Sequence, residues 1–143
     1  MTEKKDSLLL QLPQGRGFQF IHRLTQLTDN REVTAEFDYH GNEVILSADH
    51  FPGNIIFPGV HLQEGMNQTV TQLAQKEPQM KGRNFFLTGI NTKFRRAVEP
   101  PATIVYTGRL THLSPGRGGI AEVKAEVDGK LVAESEIHFI IMK

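Results

Sequence analysis

The chain has 143 residues, 38% hydrophobic and 22% charged, which suits one domain with a real core and excludes wholesale disorder. Sixteen basic side chains balance sixteen acidic ones, which argues against non-specific nucleic-acid binding; any anionic partner must be met by a local patch. Cysteine is absent, which excludes disulfides, thiolate metal sites and cysteine nucleophiles.

Met1 to Ser7 are polar and predict a frayed end, so residues 1–16 read as a partly flexible extension and 17–143 as the domain. The early apolar run Leu8-Leu9-Leu10 is too short for a signal-peptide core or a membrane span, which makes the cytoplasm the default location. Gly17 to Thr28 is strand-like, with Phe18, Phe20 and Ile21 ahead of a Thr28-Asp29-Asn30 turn. Val33, Ala35, Phe37 and Tyr39 then alternate with polar residues, the period of a half-buried strand. A turn at Gly41-Asn42 leads to a short apolar stretch, Val44 to Leu46. Two Phe-Pro-Gly triplets between Asp49 and Gly59 exclude regular helix or central strand there and predict an ordered loop.

A helix is expected from Val60 to about Lys76, with Pro78 marking its end. Val60, Met66, Val70, Leu73 and Ala74 supply apolar positions, while His61, Glu64, Gln68 and Thr71 form a polar stripe at i, i+3, i+7 and i+10. Alternation returns from Phe86 to Phe94, at Ile104, Tyr106 and Leu110, from Val123 to Val127, and from Leu131 to Phe139. Ser114-Pro115-Gly116 and Asp128-Gly129 mark turns between these strands. One central helix, two or three strands before it and four after it make an α+β fold, a long helix wrapped by a curved antiparallel sheet.

Chemistry concentrates in His50 to Gln68. A histidine titrates near neutrality without perturbation, so His50 suits a general base. Gly59 and Val60 lie at the helix start, where backbone N–H groups lack intrahelical acceptors and can polarise a thioester carbonyl. Glu64 sits one turn in, where apolar neighbours favour a protonated carboxyl able to donate to a departing hydroxyl. Gln68, a turn further, could orient it. Base, electrophile and acid together describe elimination of water beside a thioester.

His50-Phe51-Pro52-Gly53, Pro58-Gly59-Val60, Glu64 and Gln68 resemble the signature of the FabZ-type β-hydroxyacyl-acyl-carrier-protein dehydratases. Lys93-Phe94-Arg95-Arg96 with Val98 and Pro100 extends the match, as does a looser one from Phe18 to Arg23. The resemblance implies a hotdog fold and removal of water from (3R)-3-hydroxyacyl thioesters on acyl carrier protein, giving trans-2-enoyl thioesters in fatty-acid or related polyene and polyketide biosynthesis. It also implies a homodimer, or a higher assembly of dimers, in which His50 of one protomer faces Glu64 of the other. No cofactor beyond the substrate's own phosphopantetheine and no metal is expected, and Gly59 would bind the thioester carbonyl through its N–H. Lys93, Arg95 and Arg96 form a candidate docking patch for the acidic carrier protein.

The chain departs from the family at Ile55, usually proline, and at His61, Gln63 and Asn67, usually apolar, which predicts a shorter or more polar acyl tunnel. Alternatively, Gln63 and Asn67 satisfy each other or the dimer partner. Two rival functions are a hotdog thioesterase, which would not need His50, and a non-catalytic hotdog module, which would not need His50 and Glu64 together.

Overall fold

The computed structural model describes residues 10, 12–29 and 31–142, so the frayed end expected at Met1 to Ser7 lies outside the described residues. After a 3-10 turn at Arg16–Phe18, the elements in chain order are β1 (Arg23–Thr28), β2 (Glu32–Tyr39), α1 (Asn42–Ile45), α2 (Gly59–Lys76), β3 (Phe85–Phe94), β4 (Ala102–Ser114), β5 (Gly118–Val127) and β6 (Lys130–Ile141). The strands form one antiparallel sheet in the order β1-β2-β4-β5-β6-β3. Register shifts at Leu24/Gln26, Leu87/Gly89, Leu110/His112 and Ala125/Glu126 are bulges, which bend strands and let the sheet curve around the helix. The architecture is the α+β hotdog fold.

Strict alternation explains the core. Val33, Ala35, Phe37 and Tyr39 of β2 are all buried, as are Ile104 and Tyr106 of β4 and Ala121, Val123 and Ala125 of β5. Leu62, Met66, Val70 and Leu73 of α2 meet them. The helix can approach closely because residue 65 is glycine: a Cβ there would lie 2.2 Å from Tyr106 Oη. At its far end, Glu77 turns to extended backbone, the conformation that a following Pro78 demands.

Four expectations change. Only Arg23–Thr28 of the Gly17–Thr28 stretch joins the sheet. Phe20 and Ile21 are buried without laddering, because the Phe20 N–H is taken by the Gln68 side chain at 2.8 Å. Val44 to Leu46 belongs to a single helical turn, α1, and its C-cap, so two strands precede the long helix. Val60, expected on the apolar face, is 71% exposed, while Gln68, expected on a polar stripe, is fully buried. Phe86, Ile90 and Phe94 alternate as expected but stay about half exposed, because β3 is an edge strand paired only with β6.

Candidate active site

The segment carrying His50 is anchored from both ends. Behind it, the Tyr39 hydroxyl pairs with Ser47 Oγ, which also donates to the Val44 carbonyl at 2.9 Å. His22 stacks on Phe37 at 4.4 Å, accepts the Asp38 N–H at Nδ1 (2.9 Å), and sets Nε2 3.4 Å from a Glu43 oxygen, which ties α1 to the sheet. The His50 N–H then closes a turn on the Ser47 carbonyl at 3.1 Å, and Gly53 takes a positive φ of 85° that a side chain would strain. Ahead of it, the Phe57 N–H bonds the Val98 carbonyl at 2.8 Å. His50 itself is exposed, its ring 4.4 Å from that of Phe51.

Helix α2 begins at Gly59 after Pro58, which provides no side-chain cap. The first backbone N–H groups to bond inward are those of His61 and Leu62, both to the Pro58 carbonyl. Among the described residues the N–H groups of Gly59 and Val60 have no acceptor, so they carry the partial positive charge of the helix start outward. The Phe94 ring covers one side of Gly59, 3.5 Å from where a Cβ would stand. Phe94, Gly59, Ile56, Arg95 and Arg96 line a groove of about 270 Å³.

Glu64 is half-buried one turn along. Gln68 Nε2 donates to its Oε1 at 3.1 Å and Asn67 Nδ2 to its Oε2 at 3.5 Å. Gln68 is itself fixed, donating to the Phe18 carbonyl at 2.8 Å and accepting from the Phe20 N–H at 2.8 Å. Glu64 and Asn67 stand at one end of a cavity of about 210 Å³ whose remaining wall includes Val70, Ala74, Ile137 and Phe139. Of the three polar departures, Asn67 alone lines this cavity. Gln63 turns into the protein and bonds Asn67 at 3.0 Å, so the two amides satisfy each other. His61 stacks on Phe20 at 4.6 Å; burial, then the charge of nearby His50, push its pKa below the ordinary value.

Glu64, Gln68 and the helix start are thus assembled within one chain. No hydrogen bond or ion pair joins His50 to Glu64 among the described residues. Lys93 lies on β3, whereas Arg95 and Arg96 follow the strand's end rather than sit on it. Arg95 pairs with Glu134 at 2.8 Å, and both arginine N–H groups bond the Val132 carbonyl. Sequence reasoning missed Thr92 and Ser135, which hydrogen-bond Gln63, and the stack of His61 on Phe20. The i, i+4 spacing of Gln63 and Asn67 was the available signal.

The protein is a hotdog domain with a clamped glutamate on its long helix, and it belongs to the FabA-like family, whose domain model matches residues 12–136. Among curated relatives, 3-hydroxyacyl-[acyl-carrier-protein] dehydratase FabZ of Clostridium botulinum (strain Loch Maree / Type A3) is 30% identical over 133 residues, 92% of this chain and 91% of its own. The FabZ of Streptococcus thermophilus (strain ATCC BAA-491 / LMD-9) is 31% identical over 142 residues, 99% of each chain. Among solved structures, an HP0420 homologue from Helicobacter felis superposes with a TM-score of 0.71 at 10% identity, covering 98% of this chain and 90% of that one. A hypothetical thioesterase with coenzyme A from Streptococcus pneumoniae TIGR4 gives 0.65 at 12% identity, covering 83% and 84%. At such identities these structures share the fold alone.

Proposed function

We propose that the protein is a 3-hydroxyacyl-[acyl-carrier-protein] dehydratase that converts the hydroxyacyl thioester to its trans-2-enoyl form. The observation that carries this is Glu64, held at both oxygens in the wall of a cavity of mixed polar and apolar lining, on the helix whose first N–H groups are free. The thioester carbonyl lies against the Gly59 N–H, with Val60 next to it. His50 takes the α-proton, and the electron pair moves toward the carbonyl, where the helix start stabilises the oxygen's growing charge. As the α–β double bond forms, the C–O bond breaks and Glu64 gives its proton to the departing hydroxyl, which leaves as water. Proton return from His50 to Glu64, directly or through solvent, resets both.

The acyl chain occupies the cavity along Val70 and Ala74. Of the polar departures only Asn67 meets the chain, beside Glu64 at the reacting end. Arg95 and Arg96 border the helix start, with Lys93 on the adjoining strand, and suit the phosphate of phosphopantetheine and an acidic carrier protein. Since no hydrogen bond or ion pair joins His50 to Glu64 among the described residues, a second copy completes the site, joined along the exposed apolar edge of β3.

The deciding experiment follows a carrier-linked 3-hydroxyacyl thioester for conjugated-enoyl absorbance and for free thiol. Enoyl product without thiol release is expected. His50→Ala and Glu64→Gln each lower the rate at least about 100-fold with the fold intact. Thiol release as the main product would instead establish a thioesterase, and near-normal turnover by Glu64→Gln would remove it as the acid.

A further inference from the structure

Gln63, Asn67, Thr92 and Ser135 form a chain of polar contacts that ends on Glu64. Thr92 on β3 and Ser135 on β6 are direct cross-strand partners, with their hydroxyl oxygens 2.7 Å apart. The Thr92 hydroxyl donates to Gln63 Oε1, which leaves the Gln63 amide nitrogen as a donor. That nitrogen reaches Asn67 Oδ1 at 3.0 Å and Ser135 Oγ at 3.4 Å. Asn67 has thereby spent its oxygen, so its own nitrogen is the group facing Glu64 Oε2, at 3.5 Å. Every amide orientation follows from the one before it. The two amides are ordered together, because reversing either one alone would set two oxygens or two N–H groups against each other. Gln63 and Ser135 are buried, so water cannot readily replace these partners.

We propose that Gln63 and Asn67 are positioning residues that hold the second oxygen of Glu64 in the orientation for proton delivery, with Thr92 and Ser135 bracing Gln63 from the sheet edge. This deepens the dehydratase reading of the same site and rests on it. Gln68 secures Oε1 against the backbone before β1. The amide chain secures Oε2 against β3, so the acid is held between the segment before β1 and the edge of the sheet. A glutamate side chain left free at three torsions would sample positions from which the proton misses the leaving oxygen, and a misplacement of about 1 Å can cost about 100-fold in rate. The coupling also links the acid to the exposed strand along which a second copy would pair.

The test uses Asn67→Leu and Asn67→Asp, both close to asparagine in size, with Thr92→Val, which removes the first donor without approaching the cavity. Asn67→Leu should lower kcat about 10-fold while KM for the carrier-linked substrate changes less than about twofold. Asn67→Asp replaces the donor by a second carboxylate, which holds the Glu64 proton more tightly, so the high-pH limb of the kcat profile should move upward. Thr92→Val should lower kcat about threefold. Combined with Asn67→Leu it should add almost nothing, because both act through one chain. Wild-type kcat and pH profile in folded Asn67→Leu and Thr92→Val proteins, or fully additive losses, would overturn the proposal. Should the Asn67 variants fail to fold, Thr92→Val with unchanged kcat overturns it alone. A wild-type chain without dehydration would instead sink the dehydratase reading.

Discussion

His61 shows how one side chain can give the protein a pH-dependent stability. Its ring lies nearly parallel to that of Phe20, at 18° and 4.6 Å, and desolvation followed by the charge of His50 lowers its pKa from 6.5. The folded chain therefore binds this proton less readily than the unfolded chain does. The stability associated with neutral His61 is fully present above pH 6.5 and is lost as pH falls from there through the depressed folded value. Asp38 works in a separate window: two hydrogen bonds from Arg23 hold its carboxyl at about 2 against an ordinary 3.8, so its contribution is lost only between those values. His61→Leu should thus flatten the fall in urea midpoint between about pH 7 and 5.5 and leave the fall below pH 4 unchanged. Equal slopes for both proteins across the upper window would show that His61 does not set it.

At the scale of elements, the seam between α2 and β4 is the tightest contact around the site. Gly65 follows Glu64 directly, and the hydroxyl of Tyr106, buried with no hydrogen-bond partner among the described residues, occupies the space a side chain at 65 would need. Gly65→Ala should cost about 1–3 kcal/mol, since the ring and the Phe20 carbonyl both lie too close to give way freely. Tyr106→Phe removes only an unsatisfied hydroxyl and should be neutral or stabilising. In that background Gly65→Ala should cost less, though not nothing, in denaturant titrations; equal costs in both backgrounds would place the strain elsewhere. The sequence showed α2 through its two boundaries, the Phe-Pro-Gly at its start and Pro78 at its end, and β2 through strict alternation. It could not show that Tyr106 would stand over Gly65, because that depends on sheet order. Nor could it show Thr92 beside Gln63: they are 29 residues apart, and the β3–β6 register brings Thr92 opposite Ser135. Glu64 and Gln68 were legible as a pair because their i, i+4 spacing puts them on one helix face, whereas no hydrogen bond or ion pair joins His50 to them among the described residues. Val60 was misjudged because apolar periodicity cannot say whether a partner inside or outside the chain covers a side chain.

At the scale of the molecule, one group of exposed apolar residues follows the sheet edge. Phe86, Leu87, Ile90 and Phe94 on β3 and Val60 at the start of α2 are 49–71% exposed, and the sheet ends at β3 with an unpaired row of backbone groups. A long apolar edge is a template for another strand, and a two-fold axis beside it would pair β3 with β3 of a second copy and cover these side chains at once. The same pairing would allow His50 of one chain to meet Glu64 of the other. Such a site predicts complementation. His50→Ala and Glu64→Gln proteins, each nearly inactive, are unfolded together and refolded as an equimolar mixture. Random pairing makes about half the dimers mixed. In each mixed dimer one site inherits both defects and the other neither, so about a quarter of all sites are intact and dehydration should recover to about a quarter of the wild-type rate. Leu87→Arg with Ile90→Arg should abolish this recovery by placing like charges along the paired edge, and should leave a folded monomer in light scattering. If the mixture is no more active than its components, while sizing shows that mixed dimers have formed, His50 and Glu64 act within one chain and the composite site is wrong.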